Sequence, residues 1–156
     1  MSIKQMGYKS PSYQKNDEHY SPAWIFEKLG VVFDLDVCGP IGGLEWIPAK
    51  RTFSLEDNGL EQNWFGLVWM NPPYSKTTPW VEKWLAHNNG IALLPITATR
   101  WFRRIWVEAD CLVIPNERIK FRRLDGTTKY IIWETVLVGV GYGSSILKKS
   151  EIGRVR

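Results

Sequence analysis

Short, continuous apolar runs alternate along this chain with stretches whose apolar residues recur at helical spacing. "VVFDLDV" (31–37), "FGLVWM" (65–70), "IALLPI" (91–96) and "CLVIP" (111–115) read as buried strands. "YSPAWIFEKLG" carries helix signals: Ser21 at the N-cap, Pro22 at the first helical position, and Trp24, Ile25 and Leu29 on an apolar face. Gly30 suits its C-terminal cap. "TPWVEKWLAHNNG" repeats this grammar, with Thr78 as cap, Pro79 in the first turn and Asn89-Gly90 at the exit. "TATRWFRRIWVEA" (97–109) predicts a third helix. Residues 44–63 read as irregular, with a short strand at "RTFSL". "RIKFRRLDGTTKYIIWETVLVGVG" predicts a hairpin that turns at Asp125-Gly126. The alternation predicts an α/β fold: a mostly parallel sheet with helices on both faces and a late antiparallel hairpin.

The 156 residues suit one compact domain, and a hydrophobic content of 44% is enough for its core. Residues 1–16 read as a flexible arm, 17–147 as the single domain, and 148–156, within "KKSEIGRVR", as a basic, solvated tail. The polar N-terminus lacks the apolar centre of a signal peptide. No apolar run approaches the roughly 18 residues of a membrane span, so no membrane partner is expected. Cys38 and Cys111 lie far apart, without metal-type spacing, in a chain with two histidines. They read as packed thiols, and no metal is expected. Most of the nine tryptophans read as core. The net charge of +4 favours a polyanionic partner. Oligomeric state leaves no signal in the sequence.

In open sheets of this kind, ligands bind beyond the carboxyl ends of the strands. Asp36, Cys38 and Gly39 follow the first predicted strand, Asn71 to Tyr74 the second, and Thr97 and Thr99 the third. Asp34 and Asp36 are two apart on one strand and are expected on one face. Either they are salt-bridged or capping carboxylates, or Asp36 meets a cationic or hydroxylated part of a cofactor. "NPPY" (71–74) ends its strand in a rigid turn, because neither proline has a backbone N–H. One reading is a plain turn. The other is a pair of acceptors, the Asn71 side-chain oxygen and the Pro72 carbonyl, for the two N–H groups of a planar aryl amine. Tyr74 then stacks on the ring that carries the amine.

"DEHYSPAWIFEKLG", "FDLDVCGP", "PAKRTFSLEDNGLEQNWFGLVWMNPPYS", "PWVEKW" and "GIALLPITATRWF" together resemble the small phage-type DNA adenine methyltransferases, from about residue 17 to about residue 142. The resemblance implies a class I, Rossmann-like methyltransferase fold, S-adenosylmethionine as cofactor and DNA as partner. It implies that Asn71, Pro72, Pro73 and Tyr74 hold a flipped adenine. It implies that Asp17, Tyr20, Pro22, Asp34, Asp36 and Cys38 surround the cofactor, with Asp57 near it. The polar N-terminus and the lack of a membrane-length apolar run predict an intracellular, cytoplasmic protein, in the host cell if phage-encoded. The chain departs from the wider class in two ways: Val37 stands where a proline is frequent, and the segment between the first strand and "NPPY", about thirty residues, is too short for two further strand–helix units. A trimmed sheet is therefore expected.

Two basic clusters are candidates for phosphate contact. Arg100, Arg103 and Arg104 lie on the third helix. Arg118, Lys120 and Arg122 alternate with Ile119 and Phe121 on the hairpin's first arm, with Arg123 and Lys129 near its turn. The hairpin cluster reads equally well as an edge strand guarded by charge. Neither His19 nor His87 is assigned catalysis. The same chemistry would serve adenine in RNA, the cytosine amine or a protein glutamine. A catalytically silent nucleic-acid-binding module is the alternative outside the enzymes.

Overall fold

Two apolar layers, one on each side of a single sheet, account for the strand-like runs. The computed structural model describes residues 17–156, so the arm expected over 1–16 lies outside the described residues. In chain order the elements are α1 (Ala23–Leu29), β1 (Phe33–Asp36), β2 (Ala49–Thr52), β3 (Val68–Met70), α2 (Thr78–His87), β4 (Gly90–Pro95) and α3 (Arg100–Glu108). They continue with β5 (Cys111–Pro115), β6 (Phe121–Arg122), β7 (Thr128–Lys129), β8 (Thr135–Val140), α4 (Tyr142–Lys149) and β9 (Gly153–Val155).

Seven strands form the main sheet in the order β2-β1-β3-β4-β8-β5-β9. The first four are mutually parallel. β8 is antiparallel to both β4 and β5, and β9 is antiparallel to β5. Side chains alternate between the layers. Trp69, Ile91, Leu93 and Leu137 pack with α1 and α4 through Phe26 and Leu147. Val68, Met70, Ala92, Leu94 and Val138 pack with α2 and α3 through Trp84 and Ile105. The mixed α/β architecture with helices on both faces is the one the alternation predicts.

Four details differ from the sequence expectations. First, the hairpin is a separate two-stranded unit, β6 with β7, turning at Gly126 with φ 85°. Its expected long second arm ends at Lys129. "TVLVGV" is buried throughout, so it enters the main sheet as β8. Second, residues 148–156 are not a solvated tail. Lys148 and Lys149 finish α4, Ile152 is 3% exposed, and β9 pairs with β5. Third, the strand between β1 and β3 spans 49–52 and no α-helix accompanies it. Fourth, alternation breaks in β1. The amides of Asp34 and Leu35 both donate to the Leu67 carbonyl, at 2.9 and 3.4 Å. Phe33 therefore packs in one layer and Leu35 and Val37 in the other. The i, i+2 rule that put Asp34 and Asp36 in one setting does not hold here.

The helix starts shift slightly. Pro22 is the N-cap of α1, and Ser21 makes no cap bond. Thr77, not Thr78, precedes α2. Thr99 caps α3 by accepting from the Phe102 amide, so that helix starts at Arg100 rather than at residue 97.

The C-terminal strand yields a direct test. Deleting residues 151–156 should lower the urea midpoint of unfolding, because burial of an isoleucine side chain alone is worth about 1.5–3 kcal/mol. An unchanged midpoint would mean that the segment is a solvated tail after all.

Candidate active site

The carboxyl ends of β1 and β3 are neighbours, with Asp36 paired to Trp69 in register. The turns that follow them therefore open side by side. Val37, Cys38, Gly39, Asn71 and Pro73 line one cavity of about 370 Å³. Trp80 of α2, Leu124 of the hairpin turn and two further segments close it. Asp17, His19 and Tyr20 come from the stretch before α1, and Ser54, Leu55, Asn58 and Gly59 from the loop after β2.

That loop is held by local polar bonds. Asp57 accepts from the Ser54 amide at 2.9 Å and from the Ser54 hydroxyl at 3.3 Å. Trp64 Nε1 donates to the Gly59 carbonyl at 2.8 Å, and Lys83 Nζ of α2 donates to the Leu60 carbonyl at 2.8 Å. Gly59 is required by close approach, since a Cβ there would lie 2.3 Å from the Val37 carbonyl oxygen. The loop thus packs directly on the turn after β1.

Asn71 is fixed from across the chain. Its Nδ2 donates to the His19 carbonyl at 2.7 Å and to Ser21 Oγ at 3.2 Å. The carbonyl can only accept, so the amide nitrogen must face it. Asn71 Oδ1 is then left buried without a hydrogen-bond partner among the described residues. Buried acceptors are rarely left unpaired, and those that are often mark a functional position. Ser21, expected to cap α1, is instead fully buried and engaged with this amide.

Tyr74 begins a single 3₁₀ turn, Tyr74–Lys76, directly after the two prolines. Its hydroxyl donates to the Leu93 carbonyl at 2.9 Å. Burial holds its phenol well above the usual range, with Cys38 adding to the effect, so it stays protonated. The His19 ring lies against it, with centroids 4.0 Å apart and planes tilted by 31°. His19 Nε2 donates to the Pro72 carbonyl at 3.2 Å, and the residue is 2% exposed. Phe121 meets the imidazole edge-on at 5.5 Å. Asp17 ties the same segment down, accepting from the Ser75 amide at 3.0 Å and the Ser75 hydroxyl at 2.5 Å.

The sequence-predicted residues thus divide. Asp17, Tyr20, Cys38, Asn71 and Pro73 are brought together around the cavity. Pro72 and Tyr74 adjoin it through His19. Pro22 caps α1 and does not line the cavity. Asp34 does not line it either; it accepts from Lys50 Nζ and from the Leu67 amide, both at 2.8 Å, which hold its carboxyl below the usual range. Asp57 spends its carboxylate on Ser54. Asp36 is buried beneath the turn, accepting from the Cys38 amide at 3.2 Å, and burial pushes its carboxyl up to about 7. Burial, then Asp36 and Asp17, push the Cys38 thiol well above its ordinary value, so it is not a thiolate nucleophile. Sequence reasoning gave His19 no catalytic role and Ser21 only that of a helix cap, and did not single out Ser54, Leu55 or Asn58. For His19 the available signal was its position between two cofactor candidates, Asp17 and Tyr20.

The basic residues occupy two places. Arg100 and Arg104 border a second cavity of about 480 Å³, which Tyr74 and Ser75 also line. Arg104 pairs with Glu108 at 2.9 Å and with Glu82 at 3.9 Å, while Arg103 is exposed on the same helix. On the hairpin, Ile119 and Phe121 are buried, and the cations lie over aromatic rings. Arg118 and Lys120 cover Tyr130, at 5.0 and 5.6 Å, and Arg122 covers Trp46 at 4.4 Å. Among the described residues no His/Cys/Asp/Glu group is arranged to hold a metal, and no helix is long and apolar enough to cross a membrane.

Comparison with known proteins adds sequence relatives to this geometry. The family described as DNA N-6-adenine-methyltransferase (Dam) matches residues 10–133. A DNA N-6-adenine-methyltransferase of Haemophilus phage HP1 (strain HP1c1) is 32% identical over 113 residues, covering 65% of this chain and 64% of that protein. One of Escherichia phage T1 is 39% identical over 77 residues, covering 39% of this chain and 32% of that protein. The chain therefore spans less than two thirds of the length of either relative.

The raised carboxyl of Asp36 sets a pH dependence. Between its ordinary value of 3.8 and about 7, the folded state keeps a proton that the unfolded state releases. Stability contributed at this site therefore falls as pH rises through that window, and the penalty persists above it. Asp36→Asn retains an acceptor for the Cys38 amide. Urea melts across the window should show a shallower fall for this variant, and greater stability than the parent above it. An unchanged slope would mean that Asp36 is ionised when folded.

Proposed function

The chain belongs to the DNA N-6-adenine-methyltransferase (Dam) family, and from that premise we propose that it transfers a methyl group from S-adenosylmethionine to the exocyclic amine of adenine in DNA. The observation that carries this reading is the Asn71 amide, in a residue that lines the cavity: its nitrogen is held by His19 and Ser21, and its oxygen is buried and unpaired among the described residues. We also infer that the sheet is a class I methyltransferase sheet trimmed after β1, where one strand without a helix precedes β3.

The cavity fits the cofactor. Its volume of about 370 Å³ lies within the roughly 300–1,000 Å³ of small-molecule sites, and its walls are largely apolar with convergent polar groups. Asp17, Tyr20, Ser54 and Asn58 would hold the polar ends, and Leu55 and Ile41 supply apolar wall. When bound, the cofactor supplies an electrophilic methyl carbon. The protonated Cys38 thiol serves as wall and takes no part in covalent chemistry.

Adenine's amine is planar because its lone pair is spread into the ring. Asn71 Oδ1 accepts one of its hydrogens and the Pro72 carbonyl, with two lone pairs, accepts the other. Both acceptors pull the nitrogen toward tetrahedral geometry and localise the lone pair for in-line attack. Tyr74 holds the plane of the base by stacking, worth about 1–3 kcal/mol. Its hydroxyl is fixed on Leu93, which sets the ring's orientation rather than its chemistry. The residues thus act by positioning and preorganised electrostatics. A paired adenine reaches such a site only after leaving the duplex, at a cost of a few kcal/mol. Phosphate contacts from Arg100, Arg103 and the hairpin cations Arg118, Lys120 and Arg122 offset that cost.

Radiolabelled methyl from S-adenosylmethionine should appear in N6-methyldeoxyadenosine after incubation with unmethylated duplex DNA. Label in RNA or protein alone would replace the substrate, and no label anywhere would refute the reading. Asn71→Ala should lower transfer by about 10²–10³-fold, by comparison with loss of one preorganised polar group elsewhere, while cofactor affinity is kept. Retained transfer would remove the role given to Asn71.

Replacing Arg118, Lys120 and Arg122 together by glutamine should make the logarithm of DNA affinity fall less steeply with the logarithm of salt concentration. An equal slope would make the hairpin cations a guard of its edge, with no phosphate contact.

A further inference from the structure

We propose that the His19 imidazole fills the place of the target base in the resting protein, is displaced by the incoming adenine, and so weakens the binding of free adenine nucleosides at the site. The inference rests on the reading of Asn71, Pro72 and Tyr74 as the base site.

Two contacts are asked of the target base there: a flat ring stacked on Tyr74 and an N–H donated to the Pro72 carbonyl. His19 occupies both positions: its ring lies over Tyr74 with centroids 4.0 Å apart and planes tilted by 31°, and its Nε2 is 3.2 Å from the carbonyl oxygen. A carbonyl only accepts, so Nε2 carries the proton, as the adenine amine would. From the Tyr74 face that it covers, His19 reaches the Pro72 carbonyl. Two rings cannot share it. A base that stacks on that face requires the imidazole to leave.

The surrounding bonds confine that movement to the side chain. Asp17 is tied to Ser75 through both carboxylate oxygens. Tyr20 exchanges both backbone hydrogen bonds with Arg122, at 2.8 and 2.9 Å. The His19 carbonyl itself holds the Asn71 amide. Residue 19 is thus pinned on both sides, and its ring leaves by rotation about its own side-chain bonds. Asn71 stays oriented throughout.

Selectivity follows from the competition. A free nucleoside has only its own stacking and two hydrogen bonds with which to replace the imidazole. An adenine held in DNA also brings the phosphate contacts of the strand. The internal ring raises the threshold for both ligands equally, and only the DNA-borne base has the additional binding energy to cross it.

The test is binding of 2′-deoxyadenosine to the full chain, by calorimetry or by NMR titration. His19→Ala should bind it about tenfold more tightly than the parent, equivalent to about 1.4 kcal/mol. His19→Phe keeps a stacked ring and should bind no more tightly than the parent. Misfolding would weaken binding and cannot produce this order. In the parent, the His19 ring protons should shift upfield through the Tyr74 ring current and move back as nucleoside saturates. The two histidines are told apart with a His87 variant. Equal or weaker binding by His19→Ala, or His19 resonances that ignore the nucleoside, would overturn the inference while Tyr74-dependent binding upheld the base site. Binding that Tyr74→Ala leaves unchanged would overturn both together.

Discussion

The hydrogen bond from Asn71 Nδ2 to the His19 carbonyl is the contact on which the site depends. Asn71 sits where β3 has ended and two prolines have removed the backbone donors that would continue a ladder. Nothing local holds such a side chain, because the turn has no strand partner and the 3₁₀ turn after it begins only at Tyr74. The partner comes from 52 residues earlier in the chain, through a segment that is itself anchored at Asp17, Tyr20 and Ser21. The turn and the segment before α1 are therefore one unit. Loosening either frees the Asn71 amide to rotate and exchange its oxygen for its nitrogen.

The sheet makes that unit possible. β1 and β3 are adjacent and parallel, so the turns that follow both leave the same edge. The turn after β1 is kept tight from beneath by the Asp36 carboxyl and from above by Gly59, where no side chain fits against the Val37 carbonyl. Keeping a carboxyl beneath the turn is costly, because burial disfavours its charged form and raises it above the usual range. The loop after β2 then closes the cavity because Trp64 and Lys83 bind its carbonyls from outside. The loop after β2 is thus held by groups that do not line the cavity.

Much of this was legible in the sequence, and the rest was hidden for identifiable reasons. The buried strands, the Gly30 cap at φ 65° and the proline-terminated turn are local signals, and each leaves a mark within a few residues. The hairpin turn at Gly126 was legible for the same reason, but the destination of the chain after it was not. Whether "TVLVGV" pairs with its neighbour or crosses to a distant sheet depends on which surface buries both of its faces. β9 was missed because its charged residues read as tail, whereas the apolar anchor that draws it in is a single Ile152. The candidate carboxylates show the limit most clearly. Asp34, Asp36 and Asp57 look alike as residues near a predicted site, yet one is taken by Lys50, one lies beneath a turn and one caps Ser54. Sequence locates acidic groups near a strand end, and only the competition among nearby donors decides which of them reaches a ligand.

The hairpin shows how the same constraint extends to the surface. Arg122 joins three structures at once: its backbone pairs with Tyr20, its strand pairs with β7, and its guanidinium lies over Trp46. Trp46 in turn donates from Nε1 to the Ser21 carbonyl at 2.8 Å. A basic residue that reads from sequence as one of an alternating set is thus bonded to the segment that holds Asn71. The stacking of Arg118 and Lys120 on Tyr130 leaves their charge intact while restraining their side chains. Whatever polyanion approaches these cations meets a surface already coupled, through Arg122 and Tyr20, to the orientation of the Asn71 amide.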